Sequence, residues 1–431
     1  MTKPPSHQAT NPASNLVNSP ASRQAYYLST MTDQTYFRKG FGLKGQVADV
    51  LSQDYHSRLV EEIRANDYTY SNGPVTFRLA HEFGFCYGVD RAVEYAYQAD
   101  TKFPDKRVFL IGEIIHNPHV NQKLETLGIE FLLPDQEGAF DFSGITKDDV
   151  VIIPAFGVTV KDMATLHDIG CVLVDTTCGS VLNVWKRVEK YARDGFTALI
   201  HGKYFHEESK ATASQVTRYP DGHYIIVRDM AETETVCNFI EAGSDPKSLE
   251  TQFANAISPG FDASKHLLRV GIANQTTMLA NESLAIAARV RESMARRYGD
   301  QHLADHFRSF DTICSATQER QDAVIDLMKE PLDMMIVIGG YNSSNTNHLA
   351  KLCAKSRTTY HISDASCIDI ENRSVRHKPV GTDNEVTQAD WLNVDSLTIG
   401  ITAGASTPNN KIGEAMERVM RTMGVEPNVQ S

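Results

Sequence analysis

The chain reads as an α/β protein of three pseudo-equivalent α/β lobes with mainly parallel sheets, arranged around one central ligand. Three observations predict this. Short apolar runs alternate with helical stripes from Val75 to Met420, the signature of strands joined through helices. The turns between them carry glycine or small polar residues, where parallel sheets place their ligands. Three of these turns also carry a cysteine at the point where a strand hands over to a helix.

Residues 1–74 form an N-terminal extension. The first 30 are rich in Ser, Thr, Asn, Pro and Gln and read as disordered. A plastid transit peptide is also Ser-rich and acid-poor, but few arginines and no amphipathic pattern weigh against one. From Phe37 to Asn66 the pattern turns helical, an appendage before the first strand. Residues 75–177 form the first lobe. VTFRL at 75–79 alternates as a strand, and Val89, Ala92, Val93 and Ala96 make the stripe of a helix behind Cys86. RVFLIG leads to EIIHNPHVNQKLETLG, in which Pro118 suits a first helical position and Gly128 a stop. DVVIIPAFG and a short helix from about Thr159 to His167 complete it.

Residues 178–313 form the second lobe. CVLVD hands over at Cys178 to a helix striped by Val181, Val184, Trp185, Val188 and Ala192. FTALIHG follows, with His206, Glu207 and Glu208 opening a polar turn. The segment near 243–265 reads as an irregular insertion. LLRVGIANQTT then precedes a long helix from Glu282 to Arg297. Residues 314–431 form the third lobe and a C-terminal return segment. Cys314 follows RSFDTI and heads a helix, DMMIVIGG reads as a buried strand running into YNSSNTNHLAKLC, and SLTIGITAGASTPNNKIGEAMERVM repeats the plan.

The totals bound the function. With 431 residues, two to four domains are expected. A net charge of −12 argues against nucleic acid, where affinity comes from neutralising phosphates with Lys and Arg. No apolar run of about 18 residues exists, so no membrane span is expected. Seven cysteines without a secretory signal point to a reducing compartment and to metal or redox use.

Cys86, Cys178 and Cys314 share one context: a helix N-terminus whose free N–H groups and dipole favour a thiolate. Of the other cysteines, Cys171 and Cys353 read as small core residues, while Cys237 and Cys367 are ambiguous. None of the seven lies in a CxxC pair, so zinc-ribbon and thioredoxin readings lack support. Three thiolates fit an Fe–S cluster with one iron left open; three unrelated buried thiols are the plain alternative. Ser343, Ser344 and Asn345 in NSSN, and Ser406 in AGAS, stand where helix N-termini hold phosphate, though Ser and Asn also make ordinary caps. There is no P-loop lysine after the glycines. His116 and His206 offer donors to a diphosphate, and Glu208 a proton. Glu207 and Glu208, being adjacent, point in different directions, so only one readily faces a substrate. Thr276 and Thr277 end a strand and need mean no more than β-propensity.

GFCYGVDRAV, EIIHNPHVNQKL, PAFGV, DTTCGSVLNVW, HGKYFHEES, NQTTML, DTICSATQERQ, GGYNSSNTNHL and GITAGAS together resemble the 4-hydroxy-3-methylbut-2-enyl diphosphate reductases of the non-mevalonate isoprenoid pathway, in that family's order and over most of Val75 to Met420. The resemblance implies a cloverleaf around one [4Fe–4S] cluster held by Cys86, Cys178 and Cys314, with an open apical iron. It implies that His116, His206, Ser343, Ser344, Asn345 and Ser406 hold the diphosphate, and that Glu208 and Thr276 relay the proton. Glu207 would then be a solvated, nearly silent neighbour. It also implies a ferredoxin- or flavodoxin-type electron donor, an allylic diphosphate substrate, and a cytoplasmic bacterial or plastid-stroma location. Oligomeric state is left open. Many members carry histidine where this chain has Phe156, so one diphosphate contact is missing or moved, with His119 a candidate substitute. The extension and the insertion resemble the longer cyanobacterial and plastid branch. A cluster-bearing hydro-lyase, needing no electron donor, and a non-catalytic iron–sulfur sensor, needing no acid or diphosphate cradle, are the rival functions.

Overall fold

The computed structural model describes residues 35–428 except 244 and 311, so the expectation of disorder over residues 1–30 lies outside it. Seven helices matter for the site: α1 (Tyr87–Lys102), α2 (Pro118–Thr126), α3 (Gly179–Arg193), α4 (Glu207–Val216), α5 (Ser315–Leu327), α6 (Ser344–Ala354) and α7 (Asn409–Thr422).

Three mainly parallel sheets carry these helices. The first runs Tyr36–Phe37, Val172–Asp175, Val150–Ile153, Val108–Ile111 and Glu130–Leu132, parallel throughout. The second runs Phe307–Ser309, Val270–Asn274, Thr197–His201 and Tyr224–Val227, also parallel. The third orders Thr358–Ile362, Met334–Ile338, Leu397–Ala403 and Val75–Leu79 in parallel, closed by antiparallel Thr69–Asn72. A small antiparallel sheet of Ile368–Asp369, Ser374–His377 and Val386–Ala389 sits beside the third. Central strands such as Val150–Ile153 and Met334–Ile338 are buried along their whole length, as strands covered on both faces must be.

Two expectations are corrected here. The strand Val75–Leu79 belongs to the third sheet, with Val75 opposite Leu397 and Leu79 opposite Ile401. Its alternation marks a strand, but alternation carries no information about which sheet a strand joins. The segment before it is no appendage. Ser57 caps the helix Arg58–Ala65 by accepting from Val60 N–H, and that helix drives Leu59, Val60 and Ile63 fully into the third lobe's core. Val47 and Tyr55, from Lys44–Tyr55, enter the first lobe's core. The insertion near 243–265 is irregular apart from two short helices, Pro246–Gln252 and Ala263–His266.

Candidate active site

The three cysteines are the N-caps of α1, α3 and α5. Each has extended backbone (φ −89°, −64° and −72°) and none uses its side chain as a cap, so the sulfurs are free of helix duty. All three line one cavity between the lobes. Gly88 makes room for them: a Cβ there would stand 2.6 Å from Cys178 Sγ and 3.9 Å from Cys86 Sγ. Ser180 Oγ donates to Cys314 Sγ at 3.4 Å. The other four cysteines are buried, Cys237 and Cys367 among them inside lobe cores.

Two arginines fasten these turns together. Arg91 on α1 donates to the carbonyl of Thr177, next to Cys178, at 2.7 Å. Arg320 on α5 donates to the carbonyls of Gly84 at 2.8 Å and Phe85 at 3.1 Å, just ahead of Cys86. Gly84 has φ +71°, and the Thr407 carbonyl would lie 3.2 Å from a Cβ, so the turn into Cys86 requires glycine. Burial pushes the Cys86 and Cys178 thiols up, and the backbone N–H groups at the helix starts act in the thiolate's favour and partly offset it.

His116, His206, Ser343, Ser344, Asn345 and Ser406 line the same cavity. Asn117 caps α2 and leaves His116 at its mouth. His206 caps α4, its Nδ1 accepting from Glu208 N–H at 3.1 Å, so in the neutral ring the proton sits on Nε2. His116 Nε2 lies 3.2 Å from His206 Nε2, while His116 Nδ1 meets Glu113 at 2.7 Å. Burial opposes charge on His116, but Glu113 and Glu207 outweigh it and raise its pKa to about 9. Burial and the neighbouring His116 charge pull His206 down. Two ring N–H groups therefore converge, and the Glu207 carboxylate, 3.5 Å from His116 Nε2, is the acceptor beside them. Glu207 is thus no idle neighbour; its burial works against ionisation, but the charged His116 and its own backbone N–H prevail and draw its pKa down to about 2.

Ser343 caps α6 by accepting from Thr346 N–H at 3.3 Å, so the ordinary cap reading holds for that residue. Asn345 differs. Its Oδ1 accepts from Ala405 N–H at 2.9 Å, while its buried Nδ2 has no partner among the described residues. A buried donor left unpaired costs about 1–3 kcal/mol, so this amide is set for a ligand. Ser406 Oγ donates to the His116 carbonyl at 3.3 Å.

Glu208 is 1% exposed. Its Oε1 accepts from Thr276 N–H at 2.5 Å and its Oε2 from Thr276 Oγ1 at 3.0 Å. Burial raises its pKa to about 7 against the pull of those two bonds. It is a carboxyl group that can hold or release a proton near neutrality, at the cavity wall.

Phe156 stacks on His116 with centroids 4.4 Å apart and rings 24° from parallel. His119 does not replace a lost contact: its ring packs edge-on to Tyr55 at 6.3 Å and is absent from the cavity lining. Sequence reading missed Glu113, Gln275 and the two arginines. Glu113 sits three residues before His116, and Gln275 is inside NQTTML, where its amide reaches Thr277 Oγ1 at 2.8 Å; both stand in motifs already singled out.

The LytB protein family model matches residues 77–420. The 4-hydroxy-3-methylbut-2-enyl diphosphate reductase of Gloeobacter violaceus is 47% identical over 399 residues, covering 92% of this chain and 94% of the relative. The same-named protein of Thermosynechococcus vestitus is 47% identical over 403 residues, covering 93% and 98%. The solved E-1-hydroxy-2-methyl-but-2-enyl-4-diphosphate reductase of Plasmodium falciparum shares the fold, with a TM-score of 0.58 at 20% identity over 81% of this chain and 88% of that one. The chain belongs to the LytB protein family.

Proposed function

We propose that this chain is an iron–sulfur oxidoreductase that reductively removes the hydroxyl of (E)-4-hydroxy-3-methylbut-2-enyl diphosphate, giving isopentenyl and dimethylallyl diphosphates. Family membership and the names of its relatives support the reaction. The observation that carries it for this chain is the convergence, in one cavity, of three cap cysteines, a buried carboxyl group near neutral pKa and an unpaired amide donor.

The three free thiols lining one cavity fit thiolate-ligated iron; Cys86, Cys178 and Cys314 would hold one [4Fe–4S] cluster with one iron free of protein ligands. When bound, that cluster supplies two electrons, one at a time from a ferredoxin- or flavodoxin-type donor, and a Lewis-acidic iron. The balance is one allylic alcohol, two electrons and two protons giving one alkene and one water. His116, His206, Ser343, Ser344, Asn345 and Ser406 hold the diphosphate, which competes with Glu207 for the two imidazole N–H groups. Glu208 holds a proton on its carboxyl, and Thr276 keeps that carboxyl aimed at the leaving hydroxyl. The anionic substrate meets helix N-termini rather than net charge, as an acidic protein requires. The work belongs in a reducing compartment, bacterial cytoplasm or plastid stroma.

Anaerobic assay with a reduced dye and the allylic diphosphate is the test. Consumption of dye with release of both alkenyl diphosphates is expected; dye-independent hydration or dehydration points to a hydro-lyase, and no turnover to a sensor. Cys178→Ser is expected to lose the brown chromophore and Cys353→Ser to keep it. Asn345→Ala is expected to raise KM by roughly ten-fold or more, since a bond to a charged group is worth about 1.5–3 kcal/mol, with little change in melting temperature. An unchanged KM with lower stability would return Asn345 to a capping role.

A further inference from the structure

A second cavity, of about 300 Å³, lies at the seam of the second and third lobes, apart from the cysteines. Three lysines from separate segments line it: Lys203 from the turn before α4, Lys351 from α6, and Lys378 from the loop after the strand Ser374–His377. None of the three ammonium groups has an ion-pair or side-chain hydrogen-bond partner among the described residues. The Lys378 ammonium lies 6.0 Å from the centroid of the Tyr341 ring. Unlike Lys203 and Lys378, which are half-buried, Lys351 is exposed. Asp383, at the covering loop, is the one carboxylate in the lining, so the cavity is positive inside a chain of net charge −12.

Like charges gathered with few counter-charges, Asp383 in the lining and Glu282 near Lys351, are unfavourable, and the effect is visible on Lys203. Burial, then the charges of Lys351 and Lys378, hold its pKa below the usual lysine range. Two buried histidines complete the wall. His348 donates from Nδ1 to the Thr277 carbonyl at 2.9 Å, and His361 donates from Nε2 to the Gly339 carbonyl at 3.0 Å. Both are held neutral by burial, so they add polar atoms without adding charge.

We propose that this seam is a second anion site, which takes a small molecule bearing a phosphate or diphosphate group. Three cationic side chains converging from three segments suit the several oxygens of such an anion. A volume of about 300 Å³ is at the lower end of small-molecule sites, too confined for an extended acidic peptide. Three ammonium groups exclude a metal cation. Lys203 comes from the second lobe and Lys351 and Lys378 from the third, so an occupant ties the two lobes together behind the Ser344 wall of the central cavity. The site stands independently of the reductase reading.

The test is equilibrium binding of inorganic diphosphate to the full, anaerobically purified chain, by calorimetry. Two diphosphates per chain are expected. In Lys351→Gln/Lys378→Gln one event weakens by roughly ten-fold or more for each lysine removed, while the other event and kcat/KM stay unchanged. Asn345→Ala is expected to show the converse, losing the central event and keeping the seam. Titrations with inorganic phosphate and with the alkenyl diphosphates identify which carrier of the group binds best. Both lysines lie toward the surface, and melting temperature confirms that the double variant folds. The absence of any diphosphate event that survives Asn345→Ala, a surviving event indifferent to both lysines, or equal displacement by chloride at the same concentration overturns the proposal.

Discussion

Glu207 and Glu208 are consecutive residues in the first turn of α4, yet they live in opposite surroundings. The Glu207 side chain is 47% exposed and borders His116 and His206; Glu208 is buried and accepts from the Thr276 N–H and hydroxyl. Charged neighbours hold Glu207 ionised, whereas removal from water holds Glu208 near neutrality. A step of about 100° around the helix start separates a carboxylate beside an imidazole from a buried carboxyl group bonded to Thr276. Pairs of titratable groups pushed apart in this way identify acid and base roles.

The largest way to break the comparison is Glu208→Gln. Positioned acid catalysis is worth about 10²–10⁴ in rate, so turnover per iron is expected to fall by that order with iron content unchanged. Turnover equal to the parent would place the acid elsewhere. The same variant sharpens the comparison through stability. A folded pKa of about 7 against an unfolded value of 4.5 means the native state keeps a proton that the unfolded chain has lost between those values. Stability therefore falls as pH rises from 4.5 to 7, and the cost is fully present above 7. Glu208→Gln is expected to flatten that slope, by an amount of order 3 kcal/mol at most, in urea midpoints at pH 5 and pH 8.

Thr276→Val comes next. It removes the hydroxyl bond to Oε2 and leaves the backbone one, so the carboxyl pKa rises further. A roughly ten-fold loss in turnover is expected, with the alkaline limb of the pH profile displaced upward. A pH profile identical to the parent would mean the hydroxyl does not touch the working proton. The smallest effect belongs to Glu207→Gln. The charge of His116 is retained until pH passes about 9; without Glu207 it is lost at lower pH. A partly exposed pair is worth about 1 kcal/mol at most, so KM is expected to rise up to roughly five-fold above pH 8, with kcat unchanged. A kcat loss comparable to that of Glu208→Gln would reverse the two roles.

Much of this was legible in the chain itself. The strand-to-helix handovers at Cys86, Cys178 and Cys314, the NSSN turn and the HEE turn are local patterns, and each lies in a loop at the cavity. Other features were not legible. Nothing local says that Arg91 reaches Thr177, that Arg320 reaches Gly84, or that Phe156 covers His116, because those partners lie 40 to 236 residues apart. The packing of His119 on Tyr55 instead of in the cavity has the same origin: the helix mouth is local, but the direction of a ring is decided by what packs against it.

By itself, then, the order of residues determined the alternation of elements, the three cysteine caps and the family, since periodicity, turn chemistry and motif are properties of neighbours in the chain. Only the tertiary structure decided that Val75–Leu79 joins the third sheet, that burial pushes the Cys86 and Cys178 thiols up, and that Lys203, Lys351 and Lys378 share one cavity. Sheet partner, desolvation and charge clustering depend on groups distant in sequence, and their energies exist only once those groups have been brought together out of water.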